Sequence, residues 1–344
     1  MIPEAKQGRN LAGVVRYILG VCVGVAILLL LFRKRGELTS AWHEISRANL
    51  GWVLAAIAAE AASLYAFAFL QRRTLRLAQA GGATIPMPGL VALSLANDAI
   101  ANTVPGEPVV SGVYRYRYYR RHGVAPAIAG WTIFTVLVAQ AIGLSLLLLL
   151  GVIVALAAST NASYAPITIV GLVLIAAAVA VLVRRDLVLR VLALLPRAAR
   201  RASGDHRHGV QALTVRIEST LARMREIPLS VGSTAEVVAI AAFVWLADFC
   251  CLLCSFGAVR SAVPWSGVLL AYGVAQVAGS LPVVPGGIGI IEGSLAVILM
   301  QYGAGRVTAL SAALVYRMIS FWLVIAIGWI TVGVIARHRH IKEL

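Results

Sequence analysis

The chain has 344 residues, 60% of them hydrophobic and only 13% charged, with a mean hydropathy of +0.88 and a formal net charge of +16. These values lie outside the range of soluble domains and describe a polytopic membrane protein, long enough for about eight helical passes of ~20 residues. They leave little chain for a soluble catalytic domain, so chemistry is expected in or beside the bilayer.

In chain order, the first apolar run is 11–32, preceded by Lys6, Arg9 and Arg16 and closed by Arg33, Lys34 and Arg35. It is too long for a signal-peptide core and lacks a small-residue cleavage site, so it reads as a retained helix. Segment 37–49, with Leu38, Trp42, Ile45 and the following Leu50 at helical spacing, reads as a short interfacial helix. A second run, 50–70, ends at Arg72, Arg73 and Arg76. Run 86–104 is broken by Asn97, Asp98 and Asn102, and leads through Pro105-Gly106-Glu107-Pro108 into a Tyr/Arg stretch over 114–121. Helices are expected over 125–157 and 166–183, followed by a hydrophilic connector, 184–228, with ten arginines and four acids. Runs 231–256, 263–281 and 307–336 complete the chain.

Four cysteines lie in apolar runs: Cys22 in the first, and Cys250, Cys251 and Cys254 together. With no histidine beside them they read as small buried thiols, and neither a metal nor a cofactor is expected.

Charge counting sets the orientation. With the amino terminus cytoplasmic, 23 of the 30 basic residues fall inside, six outside, and Arg317 within the membrane. Arg33, Lys34 and Arg35 are the one local violation. The carboxy terminus is then cytoplasmic too, and the chain is expected in the cell membrane.

Residues 281–293 read Leu-Pro-Val-Val-Pro-Gly-Gly-Ile-Gly-Ile-Ile-Glu-Gly. Two prolines, four glycines and a carboxylate are costly at membrane depth, where broken backbone survives only inside protein or along a polar cavity. Because Arg260 and Arg306 both fall outside, segment 263–305 enters and leaves on the outer face, as a re-entrant hairpin. Its second arm, 290–302, gives roughly 20 Å of helix, too short for a ~30 Å hydrocarbon core. Segment 86–121 makes the opposite hairpin from the cytoplasmic face, turning at Pro105, Gly106 and Glu107.

The expected fold is therefore an all-α membrane protein with about six full transmembrane helices and two oppositely oriented re-entrant hairpins. It is read as one membrane domain, 1–344, with repeat one over 11–157 and an inverted repeat two over 166–336. Broken elements at matching positions point to a midplane binding site.

Glu60, Asp98, Glu107, Asp248, Glu292 and Arg317 are expected at membrane depth, with Glu236 near an interface. Five acids against one arginine cannot all be ion pairs, so some are protonated, hydrated, or paired with Arg115 and Arg117 at the inner rim. The helix after Pro285, Gly286, Gly287 and Gly289 presents free amides and a positive dipole end suited to an anionic headgroup. Each feature has a plainer reading. Gly20-x-x-x-Gly24 serves helix packing, and Gly289-x-x-x-Gly293 could do the same. Glu292 and Arg317 can be a structural salt bridge or a substrate site, and the sequence leaves both open. Asp98 and Asp248 could merely join helices by hydrogen bonds. The Tyr/Arg stretch mixes rings and cations as nucleic-acid binders do, but reads better as interfacial anchoring to anionic lipid, so no nucleic-acid partner is expected.

Segment 281–295 together with Tyr316-Arg317-Met318-Ile319-Ser320-Phe321-Trp322, and Asn102 to Arg117 with its Pro-Gly-Glu turn, resemble the lysylphosphatidylglycerol synthase transmembrane family, also described as flippase-like membrane proteins. The resemblance runs over nearly the whole chain. In the first hairpin the chain departs from a family pattern Pro-Gly-Arg-x-Gly-Glu and reads Pro105-Gly106-Glu107-Pro108. The resemblance implies a domain that moves aminoacylated phosphatidylglycerol between leaflets in bifunctional relatives, which carry a separate soluble synthase domain. The chain ends soon after its last helix without such a domain, so synthase activity is not expected.

The resulting expectation is a lipid flippase or scramblase-like transporter for a phospholipid or polyprenyl lipid. Arg317, Arg115 and Arg117 would meet phosphate, with Pro285, Gly286, Gly287, Gly289, Asn102, Pro105 and Gly106 shaping the crevice. Glu292, Glu107, Asp98 and Asp248 would meet a cationic headgroup or exchange protons. The alternative is a non-transporting scaffold or accessory subunit of an envelope-lipid enzyme. Partners are membrane lipids with anionic headgroups, with a homo-oligomer or such an enzyme as further candidates. No Gly-x-x-x-x-Gly-Lys-Ser/Thr loop is present for ATP.

Overall fold

A computed structural model describes residues 48–78, 85–103, 107–158, 230–280 and 285–340. The expected helices 11–32 and 166–183, most of the interfacial segment 37–49, the connector 184–228, Cys22, Gly20, Gly24, Pro105 and Gly106 lie outside them. Among the described residues all regular structure is helical.

In order these are α1 (Leu50–Ala78), α2 (Met87–Thr103), α3 (Glu107–Arg121), α4 (Pro126–Ala158), α5 (Val231–Ala258), α6 (Val268–Gly279), α7 (Ile290–Gln301), α8 (Arg306–Arg317) and α9 (Val324–His340). A 3-10 turn, Pro285–Gly287, precedes α7, and a π-helical turn, Met318–Leu323, joins α8 to α9. The helices α1, α4, α5 and the rod Arg306–Ile335 are each long and apolar enough to cross a membrane. The chain is a multi-pass membrane protein. α4 shows why: its 33 residues include no charge, and side chains such as Leu137, Leu150 and Ile153 face outward where lipid is the solvent.

α1 and α5 run antiparallel along their whole length. Asn49 N–H donates to Ala258 O at 2.8 Å, Ser63 Oγ to Val244 O at 3.0 Å, and Arg73 makes a two-pronged bond to Glu236 at 2.7 Å. α4 lies on both α5 and α6 because its glycines let backbones touch. A Cβ at Gly151 would stand 2.7 Å from the Leu270 backbone nitrogen. The same device recurs where α9 lies on α2: a Cβ at Gly328 would collide with Leu95 O. α4 thus rests on the short α6, and α9 on the short α2.

Three expectations change. The Tyr/Arg stretch is helical in α3, and it is only partly an interfacial anchor: Tyr118 and Tyr119 are buried, while Arg117, Arg120 and Arg121 face outward. Burial is tolerated because both hydroxyls are satisfied, Tyr119 on Gln71 Oε1 at 2.6 Å and Tyr118 on Gly89 O at 3.0 Å. Gln71 in turn donates to Ser94 Oγ at 2.8 Å, tying α1, α2 and α3 together. Run 263–281 is regular helix only from Val268, since Pro264 lies in the turn before it. The expected single helix 307–336 is interrupted by the π-turn directly after Arg317, a distortion that often marks a functional position.

Candidate functional site

The glycine turn before α7 is possible only because of its composition. Gly286, Gly287 and Gly289 have φ of 64°, 61° and 81°, left-handed values that side chains with a Cβ resist. Gly286 also has no room: a Cβ there would collide with the Phe321 ring and lie 3.3 Å from Asn102 O. The turn is therefore pressed between the π-turn on one side and the end of α2 on the other. Asn102 is the second-last residue of α2, so the end of α2 and the glycine turn meet here.

Arg317 closes the arrangement. Its Nε donates to Glu292 Oε1 at 2.8 Å and its Nη2 to Gly286 O at 2.8 Å, and its guanidinium lies 3.9 Å from the centre of the Phe321 ring. Glu292 uses its second oxygen to cap α7, accepting from Gly289 N–H at 2.6 Å. The pair is mostly enclosed, with side-chain exposures of 7% for Arg317 and 18% for Glu292. One cation thus holds a carboxylate, a turn carbonyl and an aromatic face, each of which an anionic ligand could displace or supplement.

One helical position earlier, Tyr316 belongs to a second polar cluster. Asp248 Oδ2 accepts from Tyr272 OH at 2.5 Å, Tyr316 OH at 2.8 Å and Gln276 Nε2 at 3.0 Å. Glu60 of α1 reaches the same carboxylate, and Asp98 of α2 acts on Glu60 electrostatically. Asn102 Nδ2 donates to Asp98 O, 2.8 Å away, so α2 links this cluster to the glycine turn.

The structure therefore brings Gly286, Gly287, Gly289, Glu292, Arg317 and Asn102 together with Pro285, and sets Asp98 and Asp248 beside them. Arg115 is elsewhere: its guanidinium lies 5.6 Å over Phe67, near the α3 end of α1, and Arg117 faces outward. Glu107 opens α3. Gly289-x-x-x-Gly293 is not a close helix contact, because a Cβ at Gly293 would meet nothing within 4 Å. Cys250, Cys251 and Cys254 are free thiols on α5.

Sequence reasoning missed Phe321, Tyr272 and Gln276, and placed Glu60 at depth without a role. Tyr272 and Gln276 stand four apart on the otherwise apolar α6, a shared polar face that spacing could have flagged. Phe321 carried no such signal.

A family model described as the lysylphosphatidylglycerol synthase TM region matches residues 17–328. A UPF0104 membrane protein of Methanothermobacter thermautotrophicus is 37% identical over 84 residues, spanning 24% of this chain and 25% of that protein. The family match runs across every element of the site, from Glu60 and Asn102 through the glycine turn to Arg317 and Phe321. The chain belongs to the lysylphosphatidylglycerol synthase transmembrane-region family.

Proposed function

We propose that this chain is a lipid flippase or scramblase-like transporter that passes a phosphate-bearing headgroup across the bilayer between its two broken segments. The observation that carries the reading is the enclosed Arg317, held by Glu292 and Gly286 O where the glycine turn meets the end of α2. A buried cation on displaceable partners suits a transient phosphate better than it suits a purely structural tie, because the ion pair alone gains little over apolar packing. In this reading Glu292 masks Arg317 at rest and meets a cationic group of the lipid when phosphate takes its place.

The α2–α3 and α6–α7 pairs act as oppositely oriented re-entrant hairpins of an inverted repeat. The antiparallel α1–α5 pair and the matching seats of α4 on α6 and α9 on α2 support that symmetry. Arg117, Arg120 and Arg121 lie on the cytoplasmic rim, where they attract anionic lipid rather than line the path. Membership of a lysylphosphatidylglycerol synthase membrane family supports a lipid as the transported molecule. The test is purified protein in vesicles carrying a leaflet-specific phospholipid reporter. Protein-dependent transfer that falls in Arg317→Gln is expected; transfer no faster than in empty vesicles for every phosphate lipid tried would overturn the proposal.

A further inference from the structure

Asp248 takes three donors on a single oxygen, from Tyr272, Tyr316 and Gln276. Such crowding is the environment of an ionised carboxylate. Glu60 points at the same group from α1 and is only 8% exposed, yet its Oε2 has no hydrogen-bond partner among the described residues. Two bare carboxylates cannot share a buried contact, whereas one proton converts the contact into a hydrogen bond donated by Glu60. The contact between Glu60 and Asp248 is thus the place a proton fills.

We propose that Glu60 and Asp248 form a proton-binding site linked through Tyr316 and Arg317 to the headgroup site. Among the described residues, the groups that face it come from four helices. Asp98 comes from α2, Cys251 from α5, Tyr272 and Gln276 from α6, and Tyr316 and Arg317 from α8, while α4 contributes no ionisable group. Asp98 is the half-buried member, and its helix runs on to Asn102 at the glycine turn. Tyr316 and Arg317 are consecutive, so one segment of α8 touches both sites, and Arg317 acts on Asp248 electrostatically.

The sign of the linkage follows. A phosphate at Arg317 offsets the charge that favours the Asp248 anion, so headgroup binding and proton uptake favour each other. A proton gradient then biases lipid transfer without ATP. This last step rests on the proposed function; the proton site itself does not.

The test has two arms. Infrared spectra of purified protein near neutral pH should contain a protonated-carboxyl C=O band that Glu60→Gln removes and Asp248→Asn shifts. The amide introduced by Glu60→Gln can donate the same hydrogen bond, so this variant is expected to keep its fold, as thermal unfolding will report. In weakly buffered detergent solution, at the pH where that infrared band has fallen to half its height and the site is therefore half-filled, short-chain phosphatidylglycerol should drive proton uptake in the unaltered protein and none in Glu60→Gln, with bound lipid counted by native mass spectrometry. A spectrum that Glu60→Gln leaves unchanged overturns the proton site. Bound lipid without proton uptake overturns the linkage. If the lipid does not bind, it is the headgroup reading that fails, and the infrared band still decides the proton site.

Discussion

Gly286→Ala puts one methyl group where three parts of the site converge. Its φ of 64° costs an alanine about 1 kcal/mol. The new Cβ would also stand 2.5 Å from one carbon of the Phe321 ring and closer still to a second, and overpacking of that kind costs about 1–3 kcal/mol. Together the loss is about 2–4 kcal/mol, reduced to whatever extent the ring rotates away. If the ring does move, Arg317 loses the face it stacks on, so the substitution damages the site even in protein that stays folded. Gly293→Ala is the control: it lies in α7 with open space around it and should gain about 0.5–1 kcal/mol from helix propensity. Equilibrium unfolding in detergent, followed by circular dichroism, measures both. The reasoning is refuted if Gly286→Ala stays within about 0.5 kcal/mol of the unaltered protein, the range of an ordinary surface change.

Further outcomes follow from the same geometry. Glu292→Gln keeps an acceptor for Gly289 N–H but leaves enclosed Arg317 without its counter-charge, and should cost about 3 kcal/mol; a cycle with Arg317→Gln should recover part of it. Tyr316→Phe removes one of three donors from Asp248 and should cost about 1.5–3 kcal/mol by denaturant titration. Tyr119→Phe strands the buried Gln71 Oε1, costing about 1–3 kcal/mol, yet should leave lipid transfer per folded molecule unchanged. Replacing both Arg73 and Glu236 with Gln should alter neither unfolding nor transfer, because the pair is substantially exposed.

Much of the fold was legible because membrane helices announce themselves by length and apolarity: α1, α2, α4, α5 and α7 begin within one residue of the expected runs. The glycine turn and the Glu292–Arg317 contact were legible for a related reason, since proline, glycine and charge are each costly in a bilayer and so stand out. What composition could not show is which face a side chain takes. Tyr118 and Tyr119 looked like interfacial anchors until Gly89 and Gln71 appeared as partners for their hydroxyls. Arg115 was grouped with Arg317 by charge alone, and the helix carrying it turns it onto Phe67 instead. The π-turn escaped because an extra residue in a helical turn leaves the apolar pattern of the terminal helix intact.

The central claim, that lipid headgroups pass the junction of the glycine turn, α2 and Arg317, is tested most directly by comparing transfer rates in vesicles for the unaltered protein, Arg317→Gln and Gly293→Ala. Equal amounts of folded protein would carry a fluorescent phospholipid read out by a leaflet-specific quencher. Transfer well above empty vesicles, lost in Arg317→Gln and kept in Gly293→Ala, is the predicted result. Transfer that is equal in all three proteins, or absent from the unaltered one, would contradict it.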